Sequence, residues 1–168
     1  CKRTHTHRSR YICLMKVYRL TRRKFIHDFN GKGAAICGAR WNSKGTEIIY
    51  TSDSRALAMA EVAVHLSFDT LPSDFMMLEI IIPDDLSFAP TLTIDDLRPN
   101  WNVFPHDGTT QLIGDQFIQT NVHCVMKVPS AVVKGDFNIL INPFHTDFSK
   151  ITVIDESDFP FDQRSVYR

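Results

Sequence analysis

No two of the four cysteines, Cys1, Cys13, Cys37 and Cys124, form a CxxC pair. That removes the usual signature of a zinc site or a thiol redox motif, and their wide scatter suggests no disulfide framework. Such usage fits a reducing compartment, so a cytoplasmic location is expected. The seven histidines include no HxxxH pair, and no metal is expected. GxGxxG, P-loop and GxSxG patterns are also missing, which argues against the common dinucleotide, NTPase and hydrolase scaffolds. Long apolar runs are absent too. FMMLEIIIP, residues 75–83, contains a glutamate and stops at Pro83, well short of the ~18 residues of a membrane span.

Acidic residues are missing from the first 24 positions, which hold nine Lys or Arg. The remaining 144 residues hold ten basic side chains against nineteen acidic ones. An acidic body is a poor partner for duplex DNA, because phosphate neutralisation supplies most of that affinity. Residues 1–14 show no helical or strand period until their last few positions and precede Met15. They are expected to lie outside the folded unit, with residues 15–168 forming one domain. A short nucleic-acid or lipid-binding arm is the competing reading of the same charge cluster.

From Met15 onward strand and helix signals interleave without a repeat. MKVYRL, TEIIYT, FMMLEIIIP, CVMKVPS, FNILINP and KITVID read as strands, several closed by proline. DSRALAMAEVAVHLSF reads as a mostly buried helix capped by Ser52 or Ser54. TTQLIGDQFIQT reads as a second helix packing through Leu112, Phe117 and Ile118, and DDLRPNW and PHDG read as loop. Strands with only a few helices predict an α+β domain with a mixed, largely antiparallel sheet.

Several polar residues have two readings each. Between Ala56 and Leu66 only Glu61 and His65 are polar. They form either the solvent stripe of a buried helix, or a setting in which Glu61 projects into a cleft to meet a developing cation. Arg19 in a strand and Arg40 in the turn GARWNSKGTEIIY (residues 38–50) are ordinary surface charges when taken singly. Ser130 in VPSA suits a turn cap, and Asn142 before Pro143 suits a turn residue in extended conformation.

Together, VYRL, GARWNSKGTEIIYTSDSRALAMAEVAVHL, VPSAVV and NILINPFH resemble the RES-domain family, toxins of bacterial toxin–antitoxin pairs named for arginine, glutamate and serine. The resemblance runs from about Val17 to Arg164. It places the family's first arginine on Arg19, its turn arginine on Arg40, its tyrosine on Tyr50, its glutamate on Glu61, its serine on Ser130 and its asparagine on Asn142. Ala39 stands where a second glycine is usual, and Thr146 follows His145 where proline is common.

The resemblance implies a fold similar to ADP-ribosyltransferases and action on NAD as substrate. Cleaving the nicotinamide–ribose bond builds positive charge on the ribose, which a fixed carboxylate stabilises more in the transition state than in the ground state. Glu61 is assigned that role. Arg19 and Arg40 are matched to the pyrophosphate, Tyr50 to nicotinamide or ribose, and Ser130 to the carboxamide. Asn142 is assigned either to ligand or to the Ser130 loop, His65 to the rim, and Trp41 to anchoring the turn. Water, phosphate or a protein side chain as acceptor gives a glycohydrolase, a phosphorylase or an ADP-ribosyltransferase. An Xre-type antitoxin is the implied partner, with DNA reached only through it. A catalytically idle binding or co-repressor subunit is the reading from another class.

Overall fold

The computed structural model describes residues 14–66, 72–106 and 108–159. Residues 1–13, most of the segment expected to lie outside the domain, fall outside the described residues, as do Ser67 and Phe68 at the end of the first expected helix. Six strands, β1 (Leu14–Arg22), β2 (Ile49–Ser52), β3 (Phe75–Pro83), β4 (Val125–Pro129), β5 (Phe137–Ile141) and β6 (Thr152–Asp158), form one sheet in the order β4-β5-β2-β1-β3-β6. All five pairings are antiparallel. The only parallel contact among the described residues is a single bridge, Phe88 to Val125, outside the strands.

β3 is paired on both sides and almost wholly buried, which explains its nearly unbroken apolar sequence. Its one charge, Glu79, is held between Lys16 Nζ at 2.5 Å and Arg55 at 2.7 Å. β1 pairs with β3 along its whole length but with β2 only at Tyr18–Ser52. Arg19 follows the one paired residue of β1, and Tyr50 lies two residues before the paired residue of β2.

Helix α2 (Arg55–Ala63) begins where Ser54 accepts a bond from Leu57 N at 3.1 Å, so Ser54 is the cap and Ser52 belongs to the sheet. Leu57 and Ala58 are buried, Ala58 together with Met59 and Val62 packing with Leu20, Phe75 and Met77, whereas Ala56, Ala63 and Val64 are exposed. α2 therefore covers the sheet with one stripe rather than lying mostly buried, and it closes at Ala63. Helix α3 (Thr109–Thr120) has the expected bounds. Phe117 is buried and Ile118 packs at the margin of that core, but Leu112 is exposed and packs on nothing central. A short helix, α1 (Lys32–Cys37), is additional. Its six residues carry no stripe long enough to read in sequence. Among the described residues no helix is long and apolar enough to cross a membrane.

α3 rests directly on the turn after α1. A Cβ at Gly114 would lie 1.7 Å from the Trp41 carbonyl oxygen, so the approach of helix to turn requires glycine. At Gly33, inside α1, a Cβ meets nothing within 4 Å. Gly114→Ala is therefore expected to cost about 3 kcal/mol or more, and Gly33→Ala to be neutral or to stabilise by about 0.5 kcal/mol. Urea unfolding of the two variants measures the difference.

Candidate functional site

The turn from Gly38 to Gly45 is fixed from three sides. Gly38 takes the positive φ of 73° and Ala39 does not, so the alanine in place of the usual glycine is harmless. Ala39 N donates to Asn42 O at 2.9 Å. Asn42, with no solvent exposure, donates through Nδ2 to the carbonyls of Ala34, Ser43 and Thr46. From α3, Thr110 Oγ1 donates to Arg40 O at 2.6 Å and Gln111 Nε2 to Ala39 O at 2.9 Å, while Asp115 accepts from Ser43 N at 2.9 Å. Trp41 is 2% exposed and lies 6.0 Å from the Trp101 ring. It anchors the turn, as its sequence context predicts.

Tyr50 closes this unit. Its hydroxyl accepts from Trp41 N at 3.1 Å and donates to Asn42 Oδ1 at 2.7 Å. Burial pushes its pKa well above the ordinary phenol value, so it is a neutral, protonated group rather than a base. What Tyr50 has left for a ligand is the half-buried ring.

Arg40 sits beside it, but its fork is already engaged. Its terminal nitrogens donate to the carbonyls of Trp101 at 2.6 Å, Asn102 at 3.2 Å and Val103 at 3.3 Å, and the guanidinium lies 5.8 Å from the Trp101 ring. The turn cation is neither a solvated charge nor an open fork for a pyrophosphate. It ties the 101–103 loop to the turn.

Glu61 projects from α2 toward the start of β5 and the residue that follows β4. Its Oε1 accepts from Ser130 Oγ at 2.7 Å and from Asn138 Nδ2 at 2.5 Å. Both bonds fall on one oxygen. Oε2 has no hydrogen-bond donor or ion pair among the described residues, and the side chain is half-buried. Ser130 Oγ in turn accepts from the backbone N–H groups of Val132 at 3.1 Å and Val133 at 2.9 Å. With one proton given and two lone pairs filled, this hydroxyl has no capacity left for a carboxamide. Its observed work is to aim Glu61.

Asn142 is corrected more fully. It has no exposure, its amide donates to Asn121 Oδ1 at 2.8 Å, and its oxygen accepts from Phe144 N at 2.9 Å. It ties the end of β5 to the end of α3 and touches neither a ligand-accessible surface nor the Ser130 loop. Asn138, four residues earlier, is the asparagine on Glu61. Nothing in the sequence alone singles it out, because its approach depends on the β2–β5 register that sets it opposite Ser52.

Arg19 follows Tyr18, the one residue of β1 paired with β2. Strand alternation directs it to the Val17 side of β1, away from the Tyr18 side that α2 covers. Among the described residues its guanidinium has no hydrogen bond or ion pair. Burial holds its pKa below the ordinary value, with Asp28 acting in the opposite direction. It is a cation with open donors. His65 is exposed beyond the end of α2, and no cluster among the described residues has the makings of a metal site.

The RES domain family matches residues 16–162. The chain belongs to the RES-domain family. It is 36% identical over 154 residues to Toxin Res of Photorhabdus laumondii, covering 90% of this chain and 97% of that one. It is also 36% identical over 140 residues to the Prs ADP-ribosylating toxin of a Sphingobium species, covering 83% and 87%. In structure it is similar to a chain of the M. tuberculosis MbcT-MbcA toxin-antitoxin complex, with a TM-score of 0.69 and 20% identity over 89% of this chain and 86% of the other. At that identity the likeness carries the fold alone. The RES resemblance read from VYRL through NILINPFH thus holds for the family and the fold.

Asn142→Ala and Tyr50→Phe separate framework from ligand surface. Each leaves buried polar partners unsatisfied, and each is expected to cost about 1–3 kcal/mol of stability, measured by urea unfolding. Nucleotide affinity measured by calorimetry should be unchanged in Asn142→Ala, and a large loss there would return this residue to the ligand-contact set.

Proposed function

We propose that this RES-family chain is the toxin of a toxin–antitoxin pair and cleaves the nicotinamide–ribose bond of NAD. The observation that carries the reading is the Glu61 carboxylate, fixed through Oε1 by two neutral donors and left open at Oε2. As the bond from C1′ to the nicotinamide nitrogen breaks, its electron pair leaves with nicotinamide, which departs neutral. Positive charge then develops on the ribose. Glu61 opposes that charge through Oε2 and accepts a bond from a ribose hydroxyl, which strengthens toward the transition state.

Arg19, with its donors open, takes the pyrophosphate. Arg40 adds its charge beside Tyr50 while it holds the 101–103 loop, and the Tyr50 ring packs on ribose or nicotinamide. Ser130 serves through Glu61, and Asn142 through the framework. No metal takes part in the proposed chemistry.

The acceptor decides the outcome. Water yields ADP-ribose and a proton, and inorganic phosphate yields ADP-ribose 1-phosphate; either drains NAD and arrests growth. The Sphingobium relative, named as an ADP-ribosylating toxin, favours a second reading in which a protein side chain is the acceptor. An idle co-repressor subunit has no need for an oriented, unneutralised carboxylate. The cognate inhibitor in this reading is an Xre-type antitoxin that binds as an oligomer with the toxin in the cytoplasm. DNA contact passes through that antitoxin, since the toxin body is acidic.

Purified protein incubated with NAD is expected to release nicotinamide, and the products with and without phosphate identify the acceptor. Glu61→Gln should lower turnover by about 10²- to 10³-fold with the fold intact by circular dichroism. Arg19→Ala should raise KM for NAD more than it lowers kcat. Absence of nicotinamide release in every condition, together with no labelling of extract proteins from labelled NAD, would sink the NAD-cleaving reading. Full turnover in Glu61→Gln would remove this residue from its role.

A further inference from the structure

Ser52, buried at the end of β2, is, we infer, a positioning residue for Glu61 that acts through the side-chain amide of Asn138. Its effect on turnover rests on the NAD-cleaving reading above, whereas its effect on Asn138 does not.

Ser52 and Asn138 face each other across the β2–β5 ladder, 3% and 7% exposed. Ser52 Oγ donates to Asn138 Oδ1 at 2.8 Å, and Asn138 Nδ2 donates to Glu61 Oε1 at 2.5 Å. The two ends of an asparagine amide are nearly equal in shape and opposite in hydrogen bonding. In the observed orientation the NH2 group meets the carboxylate. Reversed, a carbonyl oxygen would face Glu61 Oε1 with no proton between them. Glu61, an acceptor only, selects the first orientation, and the Ser52 hydroxyl, which can donate or accept, holds the amide in place by giving the buried Asn138 oxygen its donor.

No neighbouring hydroxyl duplicates this. Thr51 Oγ1 donates to Ile139 O at 2.7 Å, on the opposite face of β2. Ser130, the other donor to Glu61, is set independently by the backbone N–H groups of Val132 and Val133. Of the two restraints on Oε1, one is therefore held by main chain and the other by Ser52. Loss of the Ser52 hydroxyl leaves a buried acceptor on Asn138 without a donor and frees the amide to turn. The surface open to substrate is untouched, so the consequence falls on the aim of the carboxylate rather than on binding.

The test uses Ser52→Ala, the near-isosteric Ser52→Cys as a second variant lacking a strong donor, and Ser52→Thr as the variant that keeps the hydroxyl. For nicotinamide release from NAD, the Ala and Cys variants are expected to lower kcat about tenfold, with KM within about twofold, and Thr to restore most of it. Adding Ser52→Ala to Asn138→Ala should cost nothing further, because both act along one path. Independently of turnover, the Asn138 side-chain amide signals in a nitrogen–proton NMR spectrum, identified by their loss in Asn138→Ala, should shift in Glu61→Gln. In Ser52→Ala they should broaden or move even with Glu61 present. Unchanged amide signals in both Ser52→Ala and Ser52→Cys overturn the inference, and so does a double variant whose loss equals the product of the single losses. If the wild type releases no nicotinamide, the NAD reading falls and the amide signals alone decide the role of Ser52.

Discussion

The close seating of α3 on the 38–45 turn is the constraint from which the site follows. Backbone meets backbone at Gly114 and Trp41 with no room for a Cβ between them. That approach brings Thr110, Gln111 and Asp115 within hydrogen-bond range of the Arg40, Ala39 and Ser43 main chain. A turn of this length, left to itself, samples many conformations at about 1–2 kcal/mol of entropy per residue ordered. Here the main chain of Ala39, Arg40, Trp41 and Ser43 is held by side chains from α3 and by Tyr50, and Trp41 is buried in one core cluster with Ile48 and Trp101. The Arg40 direction and the Tyr50 position are set by this docking rather than by the residues themselves.

The second organising feature is the incomplete sheet. Antiparallel pairing stabilises neighbouring strands through every residue of their overlap, yet β1 and β2 pair at one position only. β1 is instead secured to β3 over nine residue pairs and β2 to β5 over four. The sheet is thus held mainly on either side of the β1–β2 seam rather than across it. Next to the paired position stand Arg19, whose guanidinium has no hydrogen bond or ion pair among the described residues, and the half-buried ring of Tyr50, with α2 starting just beyond β2 from Ser54.

What was legible in the sequence follows from the same physics. β3 and α3 were readable to the residue because each carries a full pattern, a nearly unbroken apolar run ended by proline in one and a helical period in the other. α1 was not, since six residues between Gly31 and Gly38 carry no period, and their conformation is imposed by glycine φ values of 76° and 73°. Arg40, Tyr50 and Glu61 are singled out only by the ordered motifs that carry the family resemblance, since each taken alone has an ordinary structural reading. Asn138 and Ser52 were invisible as a pair. They are 86 residues apart in sequence, and only the pairing register makes them neighbours. Asn142 was misassigned for the matching reason: in sequence it is as polar and as near the end of its strand as Asn138, and only burial and partners distinguish a framework amide from one aimed at the site.

Two glutamates in this fold show how the same carboxylate is given opposite tasks. Glu79 is bridged on both oxygens by cations, Lys16 at 2.5 Å and Arg55 at 2.7 Å, and its pKa is held below the ordinary value chiefly by the bond from Lys16. Its charge is cancelled where it stands, so it fastens β1, β3 and the start of α2 and has little field left to act on anything else. Glu61 is bridged on one oxygen only, by a hydroxyl and an amide. Neutral donors fix direction without supplying a counter-charge, so the full negative charge remains available at the half-buried edge of α2. A pairing cation there would compete with any positive charge developing on a substrate, and the stabilisation would be lost to the ground state. In the proposed reading, the choice of serine and asparagine, rather than lysine and arginine, around Glu61 is what separates a carboxylate that meets a developing cation from one that holds a sheet.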